Sequence, residues 1–345
     1  GTGYILLVFE LTRRAVGFSL VLMVLFFFFH SFLADHFIGV FYGPPVPYSS
    51  LIDLLFLSED GLFGIPVMAF ADFIFLFILF GVFLFNAGAG DYFMDVAFAL
   101  TRKQVGGPAK ASVVSSALMA TVSGSAGGNV AITGQFSIPL MKKAGFSSTM
   151  AGAIEAVAST GGQIMPPVMG ATAFIMAYYI GVPYIKICLA ALFPAALYFF
   201  SVYLMVHFEA QKKGLQLSSD DQTVISMNIL IKRASILIPL GVIRGMLIAG
   251  FTATMAGFYG IISTFLISLV NKDTRIGPDT MISIFTDTLK FCIPIAAACA
   301  CVGVVIGSIY ISGLGLKMGG MILSMGNNNM LLTLIFTMIV SIILG

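Results

Sequence analysis

Long apolar runs, broken at intervals by short polar stretches, set the plan of this chain. Runs of about 20 residues, enough to cross a hydrocarbon core as helix, occupy 15–33, 65–86, 186–206, 252–270 and 291–311, with a weaker one at 234–249. The first ten residues read as the end of an earlier helix. Residues 150–180 form one long run broken at Met165-Pro166-Pro167, and a last run, 330–345, stops while still apolar. The pattern predicts an all-α polytopic membrane protein. Residue 1 is a glycine rather than an initiator Met, no signal peptide precedes the first helix, and both ends are expected to be cut.

One stretch departs from the pattern. Between Ser123 and Gly170 stand SGSAGGNVAITGQFSIPLMKKAGF and then STGGQIMPPVMG. Irregular backbone at membrane depth is tolerated only where protein buries it or where it lines a watery cavity. The stretch is therefore the expected working site.

Composition agrees. The chain of 345 residues is 59% hydrophobic and 9% charged, against about 25% charged in soluble domains. A net charge of +2 argues against nucleic acid as a partner and leaves membrane lipid as the surroundings. Cys188, Cys292, Cys299 and Cys301 lie in apolar runs without metal or redox spacing and read as small buried hydrophobes.

Charge sets the orientation. Threading the spans in order puts Arg13, Arg14, Arg102, Lys103, Lys110, Lys142, Lys143, Lys212, Lys213, Lys232, Arg233, Lys272, Arg275 and Lys290 on one side, the cytoplasmic one. Only Lys186, Arg244 and Lys317 of the 17 Lys and Arg fall elsewhere. The threading requires 111–141 to enter and leave on the same side. Each arm then holds about 14 residues, roughly 21 Å of helix, short of a core of roughly 30 Å. The segment reads as a re-entrant helical hairpin with its tip at Ser123–Asn129.

A weak echo at an offset of 225 residues maps Ile65 to Lys290 and Gly88-Ala89-Gly90 to Gly313-Leu314-Gly315. The two units run in opposite directions, as inverted repeats of secondary transporters do. On this mapping Gly345 corresponds to Ala120, just before a second hairpin tip. The resulting division is 1–64, helical tail and external loop; 65–208, first inverted repeat with the hairpin (111–141) and broken helix (150–180); 209–289, connecting scaffold; and 290–345, the start of the second repeat.

At a hairpin tip one helix end offers carbonyl oxygens to a monovalent cation, and the other offers amide hydrogens to a carboxylate. Ser123, Gly124 and Ser125 are the candidate cation ligands there. Gly128, Asn129 and Thr133 are the candidates for the substrate carboxylate. The broken helix repeats the arrangement: Ser159, Thr160, Gly161, Gly162, Gln163 and Pro166 on the cation side, with Pro167, which starts the next half, on the substrate side. The bland alternative is that these small residues only let helices pack closely. Neutral oxygens favour Na⁺ over H⁺. Glu155 is placed about one turn into the helix opened by Ser147-Ser148, where an acid suits the helix dipole; a proton or cation relay is its alternative role. Asp72 reads as interfacial, Arg244 as snorkelling, and Asp91 and Asp95 as a solvated face. No organic cofactor and no transition-metal site is indicated, since His30, His36 and His207 sit at span ends. An intramembrane serine hydrolase using Ser123 or Ser125 lacks a nearby base. An ion or solute channel is the other alternative.

The motif GGPAKASVVSSALMATVSGSAGGNVAITGQFSIPLMKKAGF, followed by AGAIEAVASTGGQIMPPVMGATAFIMAYYIGVPY, resembles the large membrane subunit of TRAP (tripartite ATP-independent periplasmic) transporters. It looks closest to the fused permeases that work with TAXI-type binding proteins. FELTRRAVGFSL, DGLFGIPVMAFADFIFLFILFGVFLFNAGAG and FCIPIAAACACVGVVIGSIYISGLGLKMG extend the likeness over nearly the whole chain. The resemblance implies a permease in a bacterial or archaeal inner membrane with an elevator-type mechanism. It implies a periplasmic solute-binding protein that delivers a small organic acid anion, a Na⁺ gradient as the usual driving force, and small-subunit-like helices upstream or fused. It places the hairpin role on Ser123, Gly124, Ser125, Asn129 and Thr133, and the broken-helix role on Gly161, Gly162, Gln163, Pro166 and Pro167. Relatives usually carry Val-Ala where this chain has Gly127-Gly128, and look apolar where it has Arg244.

Overall fold

The computed structural model describes residues 1–215, 233–270, 275–326 and 329–344. Lys232, Lys272, Gly345 and part of the 209–289 region lie outside the described residues. Those described are helical, with no strand among them. Among the described residues, four helices are long and apolar enough to cross a membrane: Phe18–His36, Ile65–Thr101, Tyr184–Lys212 and Pro278–Ile311. The chain is an all-α polytopic membrane protein. It divides into two compact units, Gly1–Met68 with Ile293–Gly345, and Ala69–Cys292.

The first unit holds α1 (Thr2–Ala15), α2 (Phe18–Leu33) and α3 (Tyr48–Leu57). Val8, Phe9, Val24, Leu51 and Leu55 form its core with Cys301 and Val304. Two glycines let the loop after α3 lie directly on the helix that carries that pair. A Cβ on Gly303 would stand 2.4 Å from the Gly61 carbonyl oxygen, and one on Gly307 would stand 2.8 Å from that of Asp60.

The second unit begins in a continuous helical path. α4 (Ile65–Ala69), α5 (Phe75–Leu84) and α6 (Gly90–Thr101) are joined by π turns at Phe70–Ile74 and Phe85–Ala89. Gly88 kinks the path at φ +90°, and Gly313, onto which the sequence echo maps it, stands at φ +67°. The hairpin arms are α7 (Gly107–Ser123) and α8 (Ala126–Lys143). α9 (Ser148–Thr160) leads into a 3₁₀ turn at Gly161–Gln163, and the path resumes in α10 (Ala171–Ile180). α11 (Tyr184–Lys212), α12 (Ile238–Ile248) and α13 (Ala253–Val270) follow. α14 (Pro278–Ile311) starts well before the predicted 291 and gives its last part to the first unit, in which α15 (Leu314–Met325) and α16 (Met330–Leu344) lie entirely.

One apolar cluster binds the hairpin to its neighbours. Val113 and Ala120 of α7, Met141 of α8, Ile154 and Ala158 of α9, and Phe199, Val202 and Val206 of α11 share it. Two sequence expectations change here. The arms have 17 and 18 residues, roughly 26 Å each, so arm length no longer decides for re-entrance. The exposed pairs Arg102–Lys103 before the arms and Lys142–Lys143 after them carry that inference instead. Lys110, placed among the flanking charges, is 3% exposed. Its ammonium donates to Gln104 Oε1 at 3.0 Å, lies 3.0 Å from His207 Nδ1, and sits over the Tyr203 ring.

Candidate functional site

The hairpin turns at Gly124, which takes the left-handed conformation at φ +55°. A Cβ there would lie 1.8 Å from the Met169 carbonyl oxygen, so the tip backbone is pressed against the far side of the helix break. Ser125 caps α8, accepting from the Gly128 amide at 3.2 Å, as an N-cap serine does. Asn129 is fully buried. Its amide nitrogen donates to the Ser116 carbonyl at 3.1 Å, while its Oδ1 has no hydrogen-bond partner among the described residues. The same holds for the buried Ser123 hydroxyl. An unsatisfied buried polar atom costs about 1–3 kcal/mol, so two of them in one tip mark a place that a ligand would complete. A Cβ on Gly162 would touch Ala120 at 3.4 Å and the Asn129 amide at 3.6 Å. The tip therefore meets both sides of the break.

The break is a closed turn. The Gly170 amide donates to the Gln163 carbonyl at 2.8 Å and the Met169 amide to that of Met165 at 3.2 Å. The second half starts at Ala171, with Gly170 as its cap, rather than at Pro167 as expected. The Pro167 and Val168 carbonyls are instead held by the Tyr184 hydroxyl at 2.8 and 3.0 Å. Tyr184 is fixed in turn by stacking on Phe174 at 4.3 Å between ring centroids. Two of the break residues proposed as cation ligands have their hydroxyls engaged, and a third points to the exterior. The Ser159 hydroxyl donates to Glu155 at 3.1 Å, and the exposed Thr160 donates to the Ala156 carbonyl at 2.7 Å; Gln163 is exposed. A nearby cavity of about 500 Å³, lined by residues such as Phe73, Phe174, Tyr178, Leu247 and Phe251, has no charged lining residue.

Below the tip lies a second polar cluster. Glu155 is 0% exposed and sits in the third turn of α9, beyond the first turn where the helix-dipole account placed it. Five hydroxyls surround its carboxylate. Ser112 donates to Oε2 at 2.6 Å and Ser137 at 2.5 Å. Oε1 receives Thr133, Ser159 at 3.1 Å and Ser116 at 3.4 Å. Thr133, assigned to the substrate from sequence, thus belongs to this shell. No ion pair to Glu155 exists among the described residues. Hydrogen bonds to a charged group are worth about 1.5–3 kcal/mol each, and such bonds offset the several kcal/mol that desolvating an ion costs. Gly134 makes the approach feasible: its Cβ would stand 3.3 Å from the Glu155 Cγ.

The family model for the DctM component of the tripartite ATP-independent periplasmic transporters matches residues 4–345. The chain belongs to that family. It is a membrane component of a TRAP transporter, and the family is one of transporters, not of enzymes. Among curated proteins, none matches the chain.

The shell of this DctM-family chain escaped sequence inspection, which picked out Glu155, Thr133 and Ser159 for other reasons and passed over Ser112, Ser116 and Ser137. A signal was present. Ser112 and Ser116, Thr133 and Ser137, and Glu155 and Ser159 are three pairs at a spacing of four, the spacing that puts two side chains on one helix face. The three helices that carry these pairs pack together.

Proposed function

We propose that this chain is the permease of a cation-driven TRAP symporter in the inner membrane of a bacterium or archaeon. It takes up a small organic acid anion delivered by a periplasmic solute-binding protein and works with small-subunit-like helices upstream or fused. The observation that carries the reading is the meeting of the hairpin tip with the helix break, where Ser123 Oγ and Asn129 Oδ1 are buried without hydrogen-bond partners among the described residues.

The chemistry assigns the roles. Both free atoms offer lone pairs, so they suit a monovalent cation such as Na⁺, joined by the backbone around Gly124 and Gly161–Gly162. Asn129 moves from the substrate to the cation in this scheme, because its donor is spent on Ser116. The substrate carboxylate is assigned to the amide end of α8 at Gly127–Gly128, where the helix dipole favours negative charge. Gly127 leaves open space, with nothing within 4 Å of a Cβ built on it.

The test is uptake of radiolabelled short-chain mono- and dicarboxylates into proteoliposomes holding the full-length protein, with its binding protein outside. Accumulation should require an inward Na⁺ or proton gradient and the binding protein. Transport indifferent to both gradients would sink the coupled mechanism. Asn129→Ala should weaken the cation dependence by about tenfold to a hundredfold, the equivalent of roughly 1.5–3 kcal/mol. Full activity would remove Asn129 from the site.

A further inference from the structure

We propose that Glu155 and its hydroxyl shell form a proton-binding site inside the hairpin, and that the charge on Glu155 decides which bond Thr133 makes to the tip. As a coupling site this rests on the permease reading above; as a proton-binding site it does not.

The shell is made only of hydroxyls, from Ser112 and Ser116 on α7, Thr133 and Ser137 on α8, and Ser159 on α9. Each is both donor and acceptor. A proton that adds to one carboxylate oxygen gives a carboxylic acid and breaks no bond. The new O–H donates to a neighbouring hydroxyl oxygen, which turns its own hydrogen elsewhere, so no heavy atom need move. A cation fits less well. Ser112 and Ser137 already touch Oε2 at 2.6 and 2.5 Å, leaving no room for an ion between them.

No other charge in the surrounding elements answers Glu155. On α7, Lys110 turns to Gln104 and His207. On α8 the only charged residues, Lys142 and Lys143, lie exposed at the far end. On α11, His207 faces Lys110, and the Tyr198 hydroxyl donates to the Val157 carbonyl. The 3₁₀ turn Gly161–Gln163 has no titratable group.

Thr133 links the shell to the tip. Its single hydrogen has two acceptors in reach, Glu155 Oε1 and the Asn129 carbonyl at 2.8 Å. While Glu155 is charged, the charge-assisted bond is the stronger. Once Glu155 is protonated, it donates to Thr133, and the threonine hydrogen passes to Asn129. The second tie runs through Ser116, whose carbonyl holds the Asn129 amide and whose hydroxyl faces Glu155. Loading a proton therefore changes the bonding of the residue that presents Oδ1 to the tip.

The experiment is a pH titration of the purified full-length protein by infrared difference spectroscopy, without substrate or binding protein. A carboxylic-acid carbonyl band should grow as pH falls, and Glu155→Gln should lose it. Ser112→Ala and Ser137→Ala each remove a donor from the charged form. They should change the frequency of the band, since the carboxyl loses a hydrogen-bond partner, and they keep the test open should Glu155→Gln not fold. Two results overturn the proposal. One is a set of carbonyl bands that Glu155→Gln leaves unchanged. The other is thermal stabilisation of the wild type by NaCl, against choline chloride, that Glu155→Gln abolishes, which would make the cluster a Na⁺ site. A proton band in a protein that shows no uptake would leave this site standing and sink the permease reading alone.

Discussion

Gly124 is where a single methyl group has most to disturb. Its left-handed backbone costs a side chain about 1–2 kcal/mol, and the Met169 carbonyl occupies the position of the Cβ. Gly124→Ala should lower the melting temperature in detergent and abolish uptake, whereas Gly127→Ala, with open space around it, should fold normally. The tip was legible in the sequence, because glycine and serine stand out against apolar neighbours. Glu155 was legible as an oddity but not as a centre. Its partners come from 43 residues upstream to four downstream, and only folding brings them onto one carboxylate. The position also misled: an acid after Ser147-Ser148 suggests a dipole role, yet Glu155 lies in the third turn, where the end of the helix no longer acts on it.

At the scale of elements, the long apolar helices were found because hydropathy alone defines them, while the joints between them were not. The break illustrates why. Pro166-Pro167 announces an interruption, but the restart at Ala171 depends on the bond from the Gly170 amide to Gln163 and on Tyr184, a residue of another helix. Tyr184→Phe keeps the ring against Phe174, removes the donor of the buried Val168 carbonyl and leaves the Pro167 carbonyl with only the Cys188 thiol at 3.8 Å. A loss of about 1–3 kcal/mol is expected, read as a lower melting temperature, together with weakened uptake. Tyr198→Phe is the control, since its bond to Val157 is exposed, and little change is expected there.

At the scale of the whole molecule, membrane sidedness is the property that sequence charge alone addresses. The four cysteines are free and buried, so the native protein should resist a membrane-impermeant maleimide. Single cysteines then report on sidedness. Lys103→Cys and Lys143→Cys flank the hairpin and should both label from the cytoplasmic side, with Asp60→Cys labelling only from outside. Labelling of Lys103→Cys and Lys143→Cys from opposite faces would replace the re-entrant hairpin with an ordinary crossing. Most of α11 falls in the 65–208 segment of the sequence division, and its Phe199, Val202 and Val206 share one apolar core with both hairpin arms and α9. In mechanical terms the Tyr184 hydroxyl is a tether: whatever body carries α11 also grips the break by its carbonyls. An elevator stroke must then take α11 along as cargo, or tear that core open and release the tether on every cycle. Under the elevator cycle that the family resemblance implies, the line of sliding belongs on the outer side of α11.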